Sequence, residues 1–417
     1  MCLGRKAVQD DWKVTPRLTL NLGVRYDVEN GRKADNNTQN GLSLDQIHPL
    51  AGRPGVVTFA GVTEPERLFD TDKNNLAPRF GFAWRPLGRE TTVVRGGFGV
   101  FFGNPDDQGY NNTAVLGFST EAQRISPDQN QTPALLLKEG WPGIKPPGPE
   151  DRTPAFGLNS PVNFYQRERA SPYSLQYNFG IQQEVRSVLI SGQYVANLGR
   201  KLTALDLPMN QVRPELVGKP GTIQSRRPFP HFTDVILDSP NLGHSSYHAF
   251  LLRVEKHYRD GLQFLFNYAL SKLIDNVDAL SDFGGTPGNG YQDYYNRRLD
   301  KAVSPLDITH NVTFNFIYDL PLGPGRRWFT SGVAGQILGG WQLSTLAVLL
   351  SGPVYGVTTQ QNTTEAASAG PQRANILRDP ALPAGQRSPQ RWFDTAAFEQ
   401  PPRFHFGTAA RSVGRAP

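Results

Sequence analysis

The chain has 417 residues, of which 43 are Lys or Arg and 37 Asp or Glu, giving a net charge of +6 with one cysteine, Cys2. A single cysteine excludes an internal disulfide and a cysteine-based zinc site. Basic and acidic residues are interspersed, and the only basic clusters, QSRRP and GRRW, are too small to imply a nucleic-acid partner.

Hydrophobic residues make up 38% of the chain, a bulk average that does not exclude a membrane barrel, whose strands are apolar on one side only. No window reaches the roughly 18 to 20 unbroken apolar residues of a transmembrane helix. The nearest, GGWQLSTLAVLLSGPVYGV, is interrupted by Gln342, Ser344, Gly352 and Pro353. The opening MCLGRKAVQDDW has no apolar run, so no export signal is expected within it. With 42 Gly, 34 Pro, 24 Phe and 14 Tyr, the composition suits turns and aromatic strands.

In chain order, PRLTLNLGVRYD places Leu18, Leu20, Leu22, Val24 and Tyr26 on one parity and Arg17, Thr19, Asn21, Arg25 and Asp27 on the other. A period of two predicts a strand with one apolar and one polar face. The pattern recurs in PRFGFAWRP (Phe80, Phe82, Trp84), TVVRGGFGVFF (Val94, Phe98, Val100, Phe102) and PYSLQYNFGIQQE (Tyr173 to Ile181). VLISGQYVAN is weaker, and HAFLLRVEK, GLQFLFNYALS and HNVTFNFIYDL follow with Phe250, Phe264 and Phe316 on their apolar sides. GWQLSTLAVLLSG changes phase between Leu343 and Leu346, which predicts a β-bulge. Helical signatures are nearly absent.

These runs extend for about ten residues, as a tilted strand crossing a bilayer requires. Short connections at 86–90, 185–187 and 257–261 alternate with long polar segments at about 29–76, 103–171, 199–246 and 275–308. The longer connection at 321–338 falls in a short-turn position. The fold class expected is therefore all-β: an antiparallel transmembrane β-barrel, partial, of roughly nine to ten long strands, with short periplasmic turns and long extracellular loops. Trp84, Tyr318 and Trp341 near the short turns, and Tyr26, Phe102, Tyr173, Tyr247 and Tyr355 near the long loops, are expected to form two interfacial bands. Arg25, Arg79, Arg95, Arg253 and Glu255 would then face the lumen.

QDDWKVTPRLTLNLGVRYD resembles a hairpin of TonB-dependent receptors of the Oar-like type. NNLAPRFGFAWRP, VVRGGFGVFF, SPYSLQYNFGIQQEV, DITHNVTFNFIYDLP, GGWQLS and QRWFDTAAF resemble later segments of the same barrels, in the same order. The resemblance implies an outer-membrane barrel of about 22 strands around an N-terminal plug, opened by the TonB complex. It implies that residues 1–417 are one barrel region, truncated, with plug, TonB box and closing strands absent. The implied partners are outer-membrane lipid, the TonB complex through that absent plug, and an extracellular ligand of unknown identity. The cell outer membrane of a Gram-negative-type bacterium is the implied location.

Candidate sites are few. Asp275, Asp278 and Asp282 in DNVDALSDFGG offer oxygens for Ca²⁺ but match no EF-hand loop, and solvation is the simpler expectation. His244 and His248 have helical ligand spacing in a region that reads as loop entering strand, with no third ligand, so no metal site is assigned. His231 reads as loop packing. There is no nucleophile elbow, P-loop or dinucleotide motif, so neither a catalytic residue nor a cofactor is assigned and no enzyme is expected. The glycines of RGGFGVFFG are expected where strands bend or another segment approaches closely. NGYQDYYNRR places Tyr291, Tyr294 and Tyr295 beside Arg297 and Arg298, a composition suited to gripping a polar or glycan-like ligand. A transporter or receptor of a large substrate is the leading expectation. A surface protein using its barrel as an anchor, and a secreted carbohydrate-binding β-protein, are the alternatives.

Overall fold

A computed structural model describes the chain apart from residues 1–2, 32, 68, 88–90, 104–112, 114, 121–123, 127, 129–130, 142, 205, 277–290, 369 and 417. Ten long strands form one sheet in which each pairs antiparallel with the next: β1 (Leu3–Thr15), β2 (Leu18–Glu29), β3 (Asp72–Trp84), β4 (Thr92–Phe102), β5 (Tyr173–Val185), β6 (Val188–Arg200), β7 (Ser245–Arg259), β8 (Leu262–Asp275), β9 (His310–Asp319) and β10 (Gln342–Leu350). A short strand, Ala302–Val303, pairs with the end of β8. β1 and β10 do not pair with each other among the described residues, so the sheet is an open, unclosed wall.

Lengths of 9 residues in β10 to 15 in β7 exceed the usual five or six of globular strands. Register is nearly uninterrupted, which keeps each parity on one face. β7 pairs with β8 from Ser245↔Asp275 to Lys256↔Phe264, and with β6 from Tyr247↔Asn197 to Lys256↔Val188, without a shift. Irregularities occur only near strand ends, at Lys13/Thr15, Asp27/Glu29 and Lys256/Arg259. The bulge expected between Leu343 and Leu346 is absent, because β10 pairs one for one with β9 from Gln342↔Asp319 to Leu350↔Asn311. The change of phase is instead a change of composition. Leu343 and Leu349 lie on the same side as Tyr318 and Val312, while Leu346 and Val348 lie with Asn315 and Thr313.

The apolar parity is not a protein core. Leu22, Phe98, Phe179 and Phe250 are 42%, 41%, 50% and 46% exposed. No wall strand contributes to the two buried hydrophobic clusters among the described residues. On this face Gly96 lies opposite Phe82, and a Cβ there would fall 2.5 Å from the Phe82 ring, so the glycine makes room for the aromatic. The other face is polar and internally paired. Asn21 donates to Asp11 at 2.6 Å, Arg25 pairs with Asp27 at 2.7 Å and Arg253 with Glu255 at 2.6 Å, while the Arg79 guanidinium sits 4.7 Å over the Phe101 ring. Lys6 and Asp10 in β1 are exceptions, sharing the side of Tyr26 and Leu22.

Every tight connection lies at one rim. β1–β2, β5–β6 and β7–β8 turn in two residues each, with Arg186 (φ 59), Asp260 (φ 56) and Gly261 (φ 74) in the left-handed region that matches strand twist. The β9–β10 connection also lies here and contains a helix that sequence reading did not foresee, Gly332–Leu338. Val333 and Ile337 of that helix are 71% and 65% exposed beside Trp328 and Trp341.

The opposite rim carries the described residues of 30–71, 103–172, 201–244 and 276–309, joined there by those of 351–417. These are not simply polar loops. Asn40–Ile47 and Pro54–Phe59 form a hairpin. Pro161–Tyr165 pairs in parallel with Asp234–Asp238 from a different loop. Val57, Phe59, Val162, Phe164, Phe232 and Val235, from three loops, form the main buried cluster. Arg167 ties two of those loops together by pairing with Glu64 and Asp70, each at 3.1 Å.

The two faces predict unequal tolerance. Leu22→Arg or Phe316→Arg should lower folding stability in lipid vesicles by about 2–4 kcal/mol, and Asn21→Arg should change it little. Urea titration of vesicle-inserted protein measures both, and equal losses at the two parities would refute the assignment of faces.

Candidate functional site

Residues 291–301 sit where the loop layer meets the ends of β7 and β8. Their buried members act as cross-links. The Gln292 amide donates to the Gly407 carbonyl at 3.0 Å and accepts from the Arg373 amide at 2.6 Å. Asp293 accepts from Gln211 at 2.7 Å, and Gln211 in turn accepts from the Tyr294 amide at 2.7 Å. Asp300 and Arg373 form an ion pair, both nearly fully buried. Burial outweighs the arginine and raises the Asp300 carboxyl to about 6. The segment thus fastens residues 201–244 to residues 351–417.

Beside it lies a pocket of about 460 Å³ whose lining includes Tyr291, Arg297, Arg298, Lys301, Arg200 and Asp275. Its one carboxylate is already paired, Asp275 with Arg411. Arg200 donates to the Ser245 carbonyl at 2.9 Å. Arg297, Arg298 and Lys301 have no side-chain partner among the described residues. His244 also lines the pocket, and partial burial together with the charges of Arg200 and Lys301 holds its imidazole below the usual histidine range. Tyr291 is 4% exposed, its hydroxyl has no partner among the described residues, and burial pushes it up to about 12. Four cationic side chains thus line the pocket with one carboxylate that is already paired.

Of the five expected ligand residues, Tyr291, Arg297 and Arg298 therefore converge on one pocket. Tyr294 and Tyr295 do not line it. They pack edge to face at 4.8 Å, with the Tyr295 hydroxyl donating to the Gln211 carbonyl at 3.2 Å. Arg200 and Lys301 were missed. Arg200 had a sequence signal, as a charge on the apolar parity at the end of β6.

The remaining candidates separate. His244 precedes β7 and His248 lies within it, where it meets the Tyr194 hydroxyl at 2.7 Å. His231 is packed, with its Nε2 3.1 Å from the Gly55 carbonyl and its ring 5.3 Å from His48. Asp278 and Asp282 lie outside the described residues. No group of three metal-ligating side chains occurs among the described residues.

The sequence matches the outer membrane beta-barrel domain over residues 8–417. The chain belongs to that family. No curated protein matches it. Among solved structures it is similar to the outer membrane transporter YddB from Escherichia coli (10% identity, TM-score 0.40, 89% of this chain and 46% of that one). It is also similar to the ferripyoverdine receptor of the outer membrane of Pseudomonas aeruginosa (11%, TM-score 0.39, 88% and 30%) and to the alcaligin receptor FauA from Bordetella pertussis (10%, TM-score 0.34, 84% and 37%). The chain thus spans less than half the length of each.

An outer-membrane barrel places the apolar wall face in lipid, and the interfacial aromatics follow, with corrections. Trp12, Trp84 and Trp341 mark the short-turn rim, 54%, 46% and 60% exposed. At the loop rim Tyr26 and the Phe102–Tyr173 pair (ring centroids 5.5 Å apart) are on the lipid face as expected. Tyr247 is not, because it pairs across from Asn197 and Leu273 on the inner parity, and Tyr355 lies beyond β10. Tyr194 with His248, and Tyr268 with His310 at 2.9 Å, take those places.

The loop layer should also respond to pH. Asp238 is 2% exposed, and burial with the nearby charge of Asp206 raises its carboxyl from 3.8 to about 8. The folded state then holds this proton more tightly than the unfolded state, so its contribution falls as pH rises from about 4 to about 8 and is constant above. Asp238→Asn should remove that slope from amide exchange of residues 161–165 and 234–238. An unchanged slope would locate the titrating group elsewhere.

Proposed function

We propose that this chain is the barrel portion of a TonB-dependent receptor that moves a large substrate across the outer membrane. The observation carrying this reading is that a family-matched antiparallel wall, polar on its inner face, has its long excursions gathered at one rim. A wall of this kind leaves substrate two encounters, first with the loop layer and then with the paired charges of the lumen face. Tyr294 and Tyr295, on the loop layer, are the candidates for the first. Coupling to TonB would run through a plug domain that is not part of this 417-residue sequence.

A second reading, a surface-display barrel, draws on one observation. The loops build their own buried core from Val57, Phe59, Val162, Phe164, Phe232 and Val235, which suits a fixed platform.

The two differ in their dependence on the inner-membrane machine. Full-length protein carrying a photo-crosslinker at its periplasmic face should capture TonB in energised cells, and capture should fall when the proton gradient is collapsed. Proper insertion in the outer membrane without any TonB adduct would favour the display reading and exclude transport.

A further inference from the structure

Three wall residues that line the basic pocket, Arg200, Ser246 and Ile274, lie on the lipid-facing parity, and a fourth, Asp275, lies on the other. Pairing puts Arg200 across from Tyr173 in the outer parity that includes Tyr194 and Ile190. Ser246 and Ile274, also in the lining, pair with each other on the face of Phe250 and Leu270. Just below is the Tyr194–His248 and Tyr268–His310 band, and His248 pairs with Lys272. Lys272 is the lone charge on the outer parity of β8, and it is exposed. A lysine facing acyl chains at mid-membrane is unfavourable, whereas one at the interface extends its ammonium to the headgroups.

We propose that Arg200, Arg297, Arg298 and Lys301, with Lys272 beneath them, bind the phosphate groups of an outer-leaflet glycolipid. Four cations line the cavity, and its one acid is engaged by Arg411. A volume of about 460 Å³ holds a phosphorylated sugar, and the Tyr291 hydroxyl, without a partner among the described residues, supplies a donor for a phosphate or sugar oxygen. The apolar strip of Phe250 and Leu270 directly below continues as a bed for the lipid's acyl chains. A soluble anion would use the cations but not that bed. This site is independent of whether the barrel transports or displays.

The test uses the full-length protein extracted from its outer membrane in mild detergent. Co-purifying lipid A phosphate per protein should fall roughly tenfold or more in the triple variant Arg297→Ser, Arg298→Ser, Lys301→Ser, and severalfold in Lys272→Ser, since each interfacial cation adds to anionic-lipid affinity. The lumen-side control Arg95→Ser should retain the wild-type amount. Wild-type retention in the triple variant overturns the proposal. If that variant fails to fold, phenylglyoxal footprinting of the wild-type protein decides. Arg297 and Arg298 should be protected in nanodiscs containing lipid A and modified freely in phosphatidylcholine nanodiscs. Equal modification in both, or equal protection by inorganic pyrophosphate alone, overturns it.

Discussion

A backbone that crosses hydrocarbon has no water to hydrogen-bond, so every amide and carbonyl must find its partner in a neighbouring strand. Between its two edge strands the wall meets that demand with an antiparallel ladder whose shifts stay near strand ends. Continuity of the ladder has a second consequence. With a side-chain period of two, one inserted residue in mid-strand would send the lipid-facing rings inward and the arginines into acyl chains. The lack of a shift from Ser245 to Lys256 against both neighbours of β7 is what lets Phe250, Leu252 and Val254 share a face with Phe264 and Phe266. Face polarity, aromatic bands and the position of the basic pocket all depend on that register.

The molecule divides its apolar residues between two solvents. On the wall they stay exposed to the surroundings, and lipid takes the place of a core. In the loop layer, which stands in water, the usual hydrophobic burial operates, and Phe59, Phe232 and Val235 are fully enclosed. Most of the polar burial among the described residues follows the same division. The Asp300–Arg373 pair, the Gln292 cross-links and Asp238 all lie in the loop layer. Such groups hold a specific arrangement of loops once made, because removing one partner leaves the other buried and unsatisfied.

Alternation made the wall legible. Leu18, Leu20 and Leu22 against Thr19 and Asn21 fix a strand and its faces from local information alone, and the alternating lengths of the connections order the rims. What escaped was set by distant partners. Gln292 binds Gly407 and Arg373, and Asp293 binds Gln211, across sequence separations of 115, 81 and 82 residues. No local pattern in NGYQDYYNRR reports those bonds, which bury Gln292 and Asp293 and divide the tyrosines between pocket and loop packing. VNFY escaped because its pairing strand, Asp234–Asp238, comes from another loop. The short helix Gly332–Leu338 escaped for another reason. Seven residues with Gly332 and Gly335 carry too little helical propensity to stand out. The supposed bulge shows the limit of period counting. Leu346 and Val348 are apolar residues on the inner face of β10, a strand with no neighbour on one side among the described residues.

Exceptions to alternation carry information of their own. A charge on the lipid parity is tolerable where it reaches headgroups, and its distance from the aromatic band measures that reach. Lys272 lies level with His248 and two residues beyond Leu270, and Arg200 lies six residues beyond Tyr194. Arg200 is on the loop side of the band, and Lys272 lies at the band's loop-side edge, level with His248. The opposite rim bears tryptophans and the exposed apolar helix that contains Val333 and Ile337, together with Arg326 and Arg327. Connection length orients the wall with the loop layer outside, so the basic pocket lies toward the outer leaflet.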